Sequence, residues 1–494
     1  MKVLIIGSGL GGLSTALRLS HLGHEVHIVE KYHQAGGRLN QITQDGFTFD
    51  IGPSFFSMSY EFDELFRSVG ESNPLKFNEL NPLYSVYFSD RKKPFLMHKN
   101  LKKLAAEFAD IEPDLDKKVR KYLDDAKSIF HDTEYRIIKK NYDGIASYLK
   151  ALASVPLRHA PKLFRTMWTE LERNFDSQEV KVIFSMVAFF LGSTPFETPA
   201  VYTLLNYTEL EHDGYWNVQG GMYKIVEEIL IMLEKRGVKI HYGVEIESLL
   251  PQHKLTGKVH GFIDQNGKTW EADIFVANSD AAFFRGKVLN RAKFSEYKLD
   301  RKDWTLAPFT IYLGVKGIIP DFYHHNYFLG TNFNEYADKI FKTSIAPDKP
   351  YYYVNVLSKN NPESAPENCE NIFILCPVPD LRYKPDWSET EEFADQIVKD
   401  LGDRIGYDLL GNTLTRKVMN PIEWGETFNL YKGSGLGLAH GLNQVGGLRP
   451  SNKDEHFDNL YYVGASTVPG TGLPIVVISS RLVTERIEND FPLS

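Results

Sequence analysis

Gly7, Gly9 and Gly12 fall in a GxGxxG pattern, and seventeen residues separate Gly12 from Glu30. Glycines so spaced let a backbone turn tightly and approach a pyrophosphate. A carboxylate at that distance suits ribose hydroxyls. The chemistry would be dinucleotide binding. The pattern alone is weak, so its setting decides.

The setting is the required one. Val3-Leu4-Ile5-Ile6 reads as a strand buried on both faces. A helical pattern follows through Leu13, Ala16, Leu17 and Leu19, and a second strand, Glu25-Val26-His27-Ile28-Val29, ends at Glu30. The helix N-terminus would face the phosphates with free N–H groups and its positive dipole end. The early break of the first apolar run into glycines argues against a cleavable signal peptide.

Which dinucleotide binds is read further on. Gly36-Gly37-Arg38 and then Phe49-Asp50-Ile51-Gly52-Pro53-Ser54 follow the acidic residue, which is unusual for a nicotinamide fold. Here the chain resembles the flavin-dependent superfamily of amine oxidases, carotenoid desaturases and Rab GDP-dissociation inhibitors. The resemblance implies that both segments lie along FAD and that Arg38 contacts its flavin side. Leu448-Arg449-Pro450, Asn459 to Ser466 and Val468-Pro469-Gly470-Thr471-Gly472-Leu473-Pro474 resemble the carboxy-terminal signature of bacterial phytoene-type carotenoid desaturases. Gly214 to Tyr223 and Gly433 to Arg449, with Gly435, Gly437 and Gln444, fit the same branch. The resemblance runs from residue 3 to about 488. The family pattern has a histidine at Val468, a glycine at Ile475 and a proline at Val218. These departures point to a different carotenoid or bond, and the overall look is nearest the branch acting on hydroxylated carotenoids at the 3,4 position.

The cofactor-contacting set implied is Gly7, Gly9, Leu10, Gly11, Gly12, Glu30, Lys31, Gly37, Arg38, Leu39, Gly52, Pro53, Ser54, Val244, Asn278, Gly464, Ala465, Gly472, Leu473 and Pro474. Desaturation removes a hydride and a proton from adjacent carbons, and a flavin takes the hydride. The glycine turn at Gly472, with Pro474 early in the following helix, would aim a helix N-terminus at the charge of the reduced flavin. No catalytic residue is assigned. A weak base or water would suffice beside a delocalised cation, and Glu423, Glu426 and His440 are only candidates. His21, His24, His27 and His33 do not converge in this reading, and His324-His325 lacks further ligands, so no metal is expected.

The fold class expected is α/β: an FAD-binding, doubly wound Rossmann-type domain with an interleaved substrate domain of mixed sheet plus helices. Nucleotide-type text recurs, so the parts expected are 1–79, 214–297 and 440–494 for the FAD-binding domain. Residues 80–213 read as a mostly helical substrate or membrane region, and 298–439 as a substrate domain.

Composition sets the outer bounds. A net charge of −8 leaves no basic excess for nucleic acid. Two cysteines, Cys369 and Cys376, exclude a disulfide framework. Mean hydropathy is −0.30, and the longest largely apolar run, Val182 to Leu191, is too short to span a bilayer. Residues 136–165 carry Arg136, Lys139, Lys140, Lys150, Arg158, Lys162 and Arg165 against Asp143 alone, interleaved with apolar side chains. That composition fits either a solvated basic helix pair or an interfacial segment on anionic lipid. A lipid-dwelling C40 substrate favours the second, with a cytoplasmic protein peripheral on the inner membrane face. The readings open here are carotenoid desaturation, most simply at the 3,4 bond of a 1-hydroxylated carotenoid, or action on phytoene or neurosporene. Carotenoid isomerisation or saturation, another flavin oxidase such as an amine oxidase, and non-enzymatic prenyl binding also remain.

Overall fold

The structure, a computed structural model, describes residues 1–252 and 256–492. A five-stranded parallel sheet runs in the order Leu460–Tyr462, Ile274–Ala277, Lys2–Ile6, Glu25–Glu30, Lys239–Tyr242. Its strands come from three distant parts of the chain. The central strand explains the unbroken apolar run at the start. Val3 and Ile5 pack with the helices Leu10–His21, Lys224–Lys235 and Leu473–Asp490. Leu4 and Ile6 face the opposite way, toward Ile246, Phe262 and Trp270 of a three-stranded antiparallel sheet. With both faces covered, every position of a parallel strand must be apolar.

The second large sheet has seven strands, in the order Thr413–Met419, Ala307–Lys316, Cys369–Val378, Tyr352–Asn355, His325–Leu329, Tyr84–Phe88, Phe95–Met97. All pairs are antiparallel except His325–Leu329 with Tyr84–Phe88. One face packs on the helix Thr390–Ile405 through Phe309, Ile311, Ile374 and Phe393. The other carries Tyr84, Tyr312, Tyr327, Tyr353 and Phe373 toward the helical region. The last two strands lie inside the stretch whose periodicity reads as mostly helical. They are short, five and three residues, and aromatic-rich, so no helical period or length separates them from their neighbours. Helices follow as expected, notably Leu115–Thr133 and Gln178–Ser185.

Two contacts tie the sheets together. The hairpin Gln41–Gln44 with Phe47–Asp50 leads off the nucleotide domain, and Tyr312 Oη donates to the Ile51 carbonyl at 2.8 Å. Asp50 accepts the backbone N–H groups of Met222 and Tyr223. Burial pushes its carboxyl up to about 6, and those two donors oppose the shift.

Ile5 is fully buried and sits between two strand partners. Truncation to Ile5→Ala leaves a cavity that costs about 2–5 kcal/mol. The expected outcome is a lower urea midpoint than the wild type, measured by tryptophan fluorescence. An unchanged midpoint would mean that this strand is not the centre of the core.

Candidate functional site

The glycine turn is shaped by what a side chain would strike. Gly7 has φ +97°, and its N–H donates to Val29 at 2.8 Å, locking the turn to the second strand. A Cβ on Gly12 would stand 2.3 Å from the Gly7 carbonyl oxygen, so helix and turn touch at backbone distance. Gly9 precedes the helix Leu10–His21 in extended conformation, and no side chain caps that helix. Gly36 joins the same turn, its N–H donating to the Ser8 carbonyl at 2.9 Å, and a Cβ on Gly37 would lie 3.2 Å from the Gly9 Cα.

A second helix start lies beside the first. Gly472, at φ +111°, precedes Leu473–Asp490, with Pro474 in the first turn and neither a side-chain cap nor an acidic residue there. A Cβ on Gly11 would be 3.2 Å from both Gly464 Cα and Val476 Cγ1. The Asn278 amide fills the remaining space. It would clash with a Cβ on Gly9, Gly11 or Gly464, at 2.8, 2.6 and 2.9 Å. Two uncapped helix N-termini, free of acidic residues, thus meet over backbone without side chains. An anion is what such a strip accommodates, and the residues present fit the pyrophosphate and flavin ends of FAD.

Glu30 stands at the mouth of the turn, buried, with Oε2 accepting from Ser8 N at 2.8 Å and Ser8 Oγ at 2.7 Å. Its Oε1 accepts from Tyr32 N at 3.1 Å. The carboxylate therefore orders the turn. Val244 donates its N–H to the Glu30 carbonyl at 2.8 Å. Lys31 turns its ammonium to the Glu426 carbonyl at 3.3 Å, and burial holds its pKa below the ordinary value.

Arg38 lies half-buried on the other side. Its Nη1 donates to the Gly435 carbonyl at 2.7 Å. Burial lowers its pKa while Asp280 opposes that shift. A Cβ on Gly52 would stand 2.5 Å from the Arg38 carbonyl oxygen, so Gly52 rides on this segment. Leu39 is buried beside it, its N–H donating to the Gly36 carbonyl at 3.1 Å. Pro53 carries the chain past it. Ser54 leaves the nucleotide side and meets Tyr353 Oη at 2.8 Å. Ala465 gives its carbonyl to Arg449 Nη2 at 2.9 Å.

Two residues outside the expected set hold the site together. Asp280 accepts from Ser466 Oγ at 2.8 Å and from the N–H groups of Ala282 and Phe283. Burial raises its carboxyl, against those donors and Arg38. Arg449 spends its guanidinium on the carbonyls of Leu438, Ala439, Gln444, Ala465 and Thr467. Burial pushes it down to about 10. Asp280 carries a sequence signal, an N-cap aspartate just after the Asn278 strand. Arg449 carries one only through its motif. Among the described residues, no group of three or more side chains is placed to hold a metal.

The basic segment differs from its sequence reading. Lys139 pairs with Glu61 and Glu134, and Lys162 with Asp125 and Glu170. Arg165 also pairs with Glu170, and Arg136 and Arg158 both pair with Asp132. The acids lie outside residues 136–165, some just beyond its ends and Glu61 far from it, so a count over the segment misses them. Beside exposed Lys140 and Lys150, the segment presents apolar side chains to solvent: Ile145, Leu149, Leu157 and Phe164, with Phe164 90% exposed.

Sheet, glycine turn and paired helix starts define the class: a flavoprotein oxidoreductase built on a dinucleotide fold. A profile described as flavin containing amine oxidoreductase matches residues 10–281. A zeta-carotene-forming phytoene desaturase of Myxococcus xanthus is 32% identical over 493 residues, which is 98% of this chain and 93% of that protein. A carotenoid 3,4-desaturase of Haloarcula japonica is 28% identical over 99% of this chain and 98% of its own length. An oxidoreductase from Methanosarcina mazei, in its crystal structure, shares the fold with a TM-score of 0.61 at 18% identity, over 98% of this chain and 100% of that one. The chain belongs to the flavin-containing amine oxidoreductase family, in its carotenoid desaturase branch. It is an FAD-dependent enzyme.

Loss of FAD loading is the expected outcome in Gly12→Val, whose side chain collides with the Gly7 carbonyl. Glu30→Ala removes charged hydrogen bonds worth about 1.5–3 kcal/mol each. Its FAD dissociation constant should rise on the order of tenfold to a hundredfold. Flavin fluorescence after gel filtration reads both, and full loading of folded Gly12→Val would place the cofactor elsewhere.

Proposed function

We propose that the chain introduces a carbon–carbon double bond into a carotenoid, at the 3,4 position of a 1-hydroxylated substrate. The observation that carries the reading is the face of the seven-stranded sheet opposite the helix Thr390–Ile405. It is lined by Tyr84, Tyr312, Tyr327, Tyr353 and Phe373 and meets Phe55 of the flavin-side segment. Aromatic walls suit a polyene and a positive charge developing along it. Bound FAD would supply the hydride acceptor. Its contacts would be the twenty residues set out from the sequence, with Gly7 to Gly12 and Glu30 at the nucleotide end. Gly37 to Leu39, Gly52 to Ser54 and Gly472 to Pro474 would hold the flavin end.

A hydroxyl handle is available on the same face. Glu209 is buried and hydrogen-bonded to Tyr84 and Asn206. Burial pushes its carboxyl up to about 7, so near neutral pH it both donates and accepts. A substrate hydroxyl would add a further hydrogen bond to that group, and a substrate lacking it would forgo about 1–3 kcal/mol. Phytoene desaturation is the second reading, favoured by the 32% identity to the Myxococcus protein.

The substrate's entry belongs to the same proposal. Ile145, Leu149, Leu157 and Phe164 are exposed, and so are Leu442 and Leu448. Tyr148 packs beneath Gly446 and Gly447, which joins the two segments. An open depression of about 360 Å³ lies between Phe164, Pro199 and Leu442. Exposed Lys140 precedes the helix Ile145–Ala153, and exposed Lys150 lies on it. A bilayer surface is the occupant such a patch fits: apolar in the middle, basic beside it. No described helix is long and apolar enough to cross a membrane. A peripheral protein on the inner face of the cytoplasmic membrane is the location that fits.

Two measurements test this reading. Hydroxylated and unhydroxylated carotenoids, at matched lipid loading, should differ in turnover on the order of tenfold to a hundredfold. Equal turnover removes the hydroxyl preference, and turnover of phytoene alone moves the assignment to the second reading. In liposome flotation, Leu157→Ser with Phe164→Ser should release the protein, while high salt weakens binding only slightly because few basic groups are free. Unchanged flotation of the double variant would discard the patch.

A further inference from the structure

His325 lies at the start of the strand His325–Leu329, fully buried, and its Nε2 has no hydrogen-bond partner. Its Nδ1 lies 2.5 Å from Tyr353 Oη, which lies 2.8 Å from Ser54 Oγ. The Phe55 ring stacks on the imidazole at 4.0 Å, and Tyr215 stands edge-on at 6.2 Å. A buried polar atom left unpaired costs about 1–3 kcal/mol, so it calls for a use. Here the unpaired nitrogen sits in the aromatic region proposed for the polyene. Its other nitrogen begins a hydrogen-bonded chain that ends beside Gly52 and Pro53.

We propose that His325 Nε2 accepts the proton lost in desaturation, and that Tyr353 and Ser54 carry it away. The proposal rests on the desaturation reading and on Ser54 lying at the flavin end. Hydride leaves one carbon with its electron pair for the oxidised flavin, which is the oxidant. At the adjacent carbon the C–H bond breaks, its electron pair becomes the second bond of the new alkene, and the proton bonds to Nε2. The proton already on Nδ1 passes to Tyr353 Oη, which hands its own to Ser54 Oγ, and Ser54 releases its own toward the flavin end, where the anion left by hydride uptake would be the final base. Charge is conserved at each transfer, and the imidazole ends neutral. The transient imidazolium is held against the Phe55 face, where a cation is favoured over an aromatic ring. Burial holds His325 well below the ordinary histidine pKa, and the neighbouring His324 pushes the same way. The ring therefore waits neutral, with a lone pair on one nitrogen. The tautomer needed is the one protonated on Nδ1. The Asn355 amide, 3.5 Å from that nitrogen and also donating to the His324 carbonyl at 2.9 Å, is the longer contact beside Tyr353 Oη at 2.5 Å.

The experiment uses the full-length, FAD-loaded protein. Isotope-labelled histidine NMR, assigned with His325→Gln, should find the proton of His325 on Nδ1. Tyr353→Phe should shift that signal with flavin content unchanged. Turnover is then followed with a 1-hydroxylated carotenoid and with phytoene, each in phosphatidylcholine vesicles. His325→Gln should lower kcat on the order of a hundredfold or more, at unchanged KM and flavin content. Tyr353→Phe, which keeps shape and packing, should lower kcat about tenfold. A wild-type His325 protonated on Nε2 instead overturns the proposal. So does a flavin-loaded His325→Gln that keeps the wild-type kcat. A wild type that binds no FAD overturns the cofactor-site reading, and a loaded wild type that converts neither carotenoid overturns the desaturation reading. In both of those cases the NMR result still decides the tautomer on which the relay depends.

Discussion

The architecture depends on one close approach. Two helix N-termini and a strand end converge where only backbone and the Asn278 amide fit. Residues 7–12, 278 and 464–476 meet there, though hundreds of positions separate them in the chain. The strand order makes this unavoidable: Lys2–Ile6 sits in the middle, with Ile274–Ala277 and then Leu460–Tyr462 on one side. Each strand of a parallel sheet delivers its loop to the same edge. The glycines are the consequence of packing three such loops onto one strip. Their missing side chains also leave the strip open to an anion.

A second constraint is polar. Loops crowded at a sheet edge carry carbonyls that no ladder satisfies, and burying them unpaired is costly. Arg449 solves this with one side chain, gathering carbonyls from the Leu438 to Gln444 loop and from Ala465 and Thr467. Asp280 does the converse for donors, and its charge lies close to both Arg38 and Arg449. The cofactor side is thus rigid through buried charge. The sheet side is held by single neutral contacts such as Tyr312 to Ile51. Removal of either partner there costs less than removal of Arg449, which takes a donor from five carbonyls.

What was legible in the sequence follows from range. The opening strand, turn and helix are set by residues adjacent in the chain, so the GxGxxG reading and Glu30 were accessible directly. The α/β class was legible because both-face burial writes continuous apolar runs, as at Ile274–Ala277. Tyr84–Phe88 escaped because five residues of mixed aromatic text have no decisive period. The ion pairing of the basic segment was illegible for a related reason. Its counter-charges, Glu61, Asp125, Asp132, Glu134 and Glu170, lie outside it and are brought in by folding. Asp280 and Arg449 became informative only once their partners were known. His325 looked like half of a failed metal site, since its significance lies in Tyr353 and Ser54, which sequence spacing does not connect.

The geometry between surface and cofactor gives a last step. Leu442, on the exposed apolar patch, is two residues from His440, whose backbone N–H donates to Leu191 at 2.8 Å. The His440 ring meets Thr471 N at 3.3 Å, and a Cβ on Gly470 would touch it at 2.4 Å. Tyr202 Oη holds the His440 carbonyl from the helical side at 2.8 Å. One short loop therefore spans from the patch to the turn that opens the last helix. Gly470 and Gly472 are glycines for two reasons at once: each has positive φ, and Gly470 leaves the ring its place. An apolar substrate leaving lipid over this loop would meet the helix start almost at once. The path through water is then short, which is what a polyene with almost no polar surface requires. On the proposed membrane reading, the helix start is fixed by backbone and charge, and the exposed end of the loop is apolar.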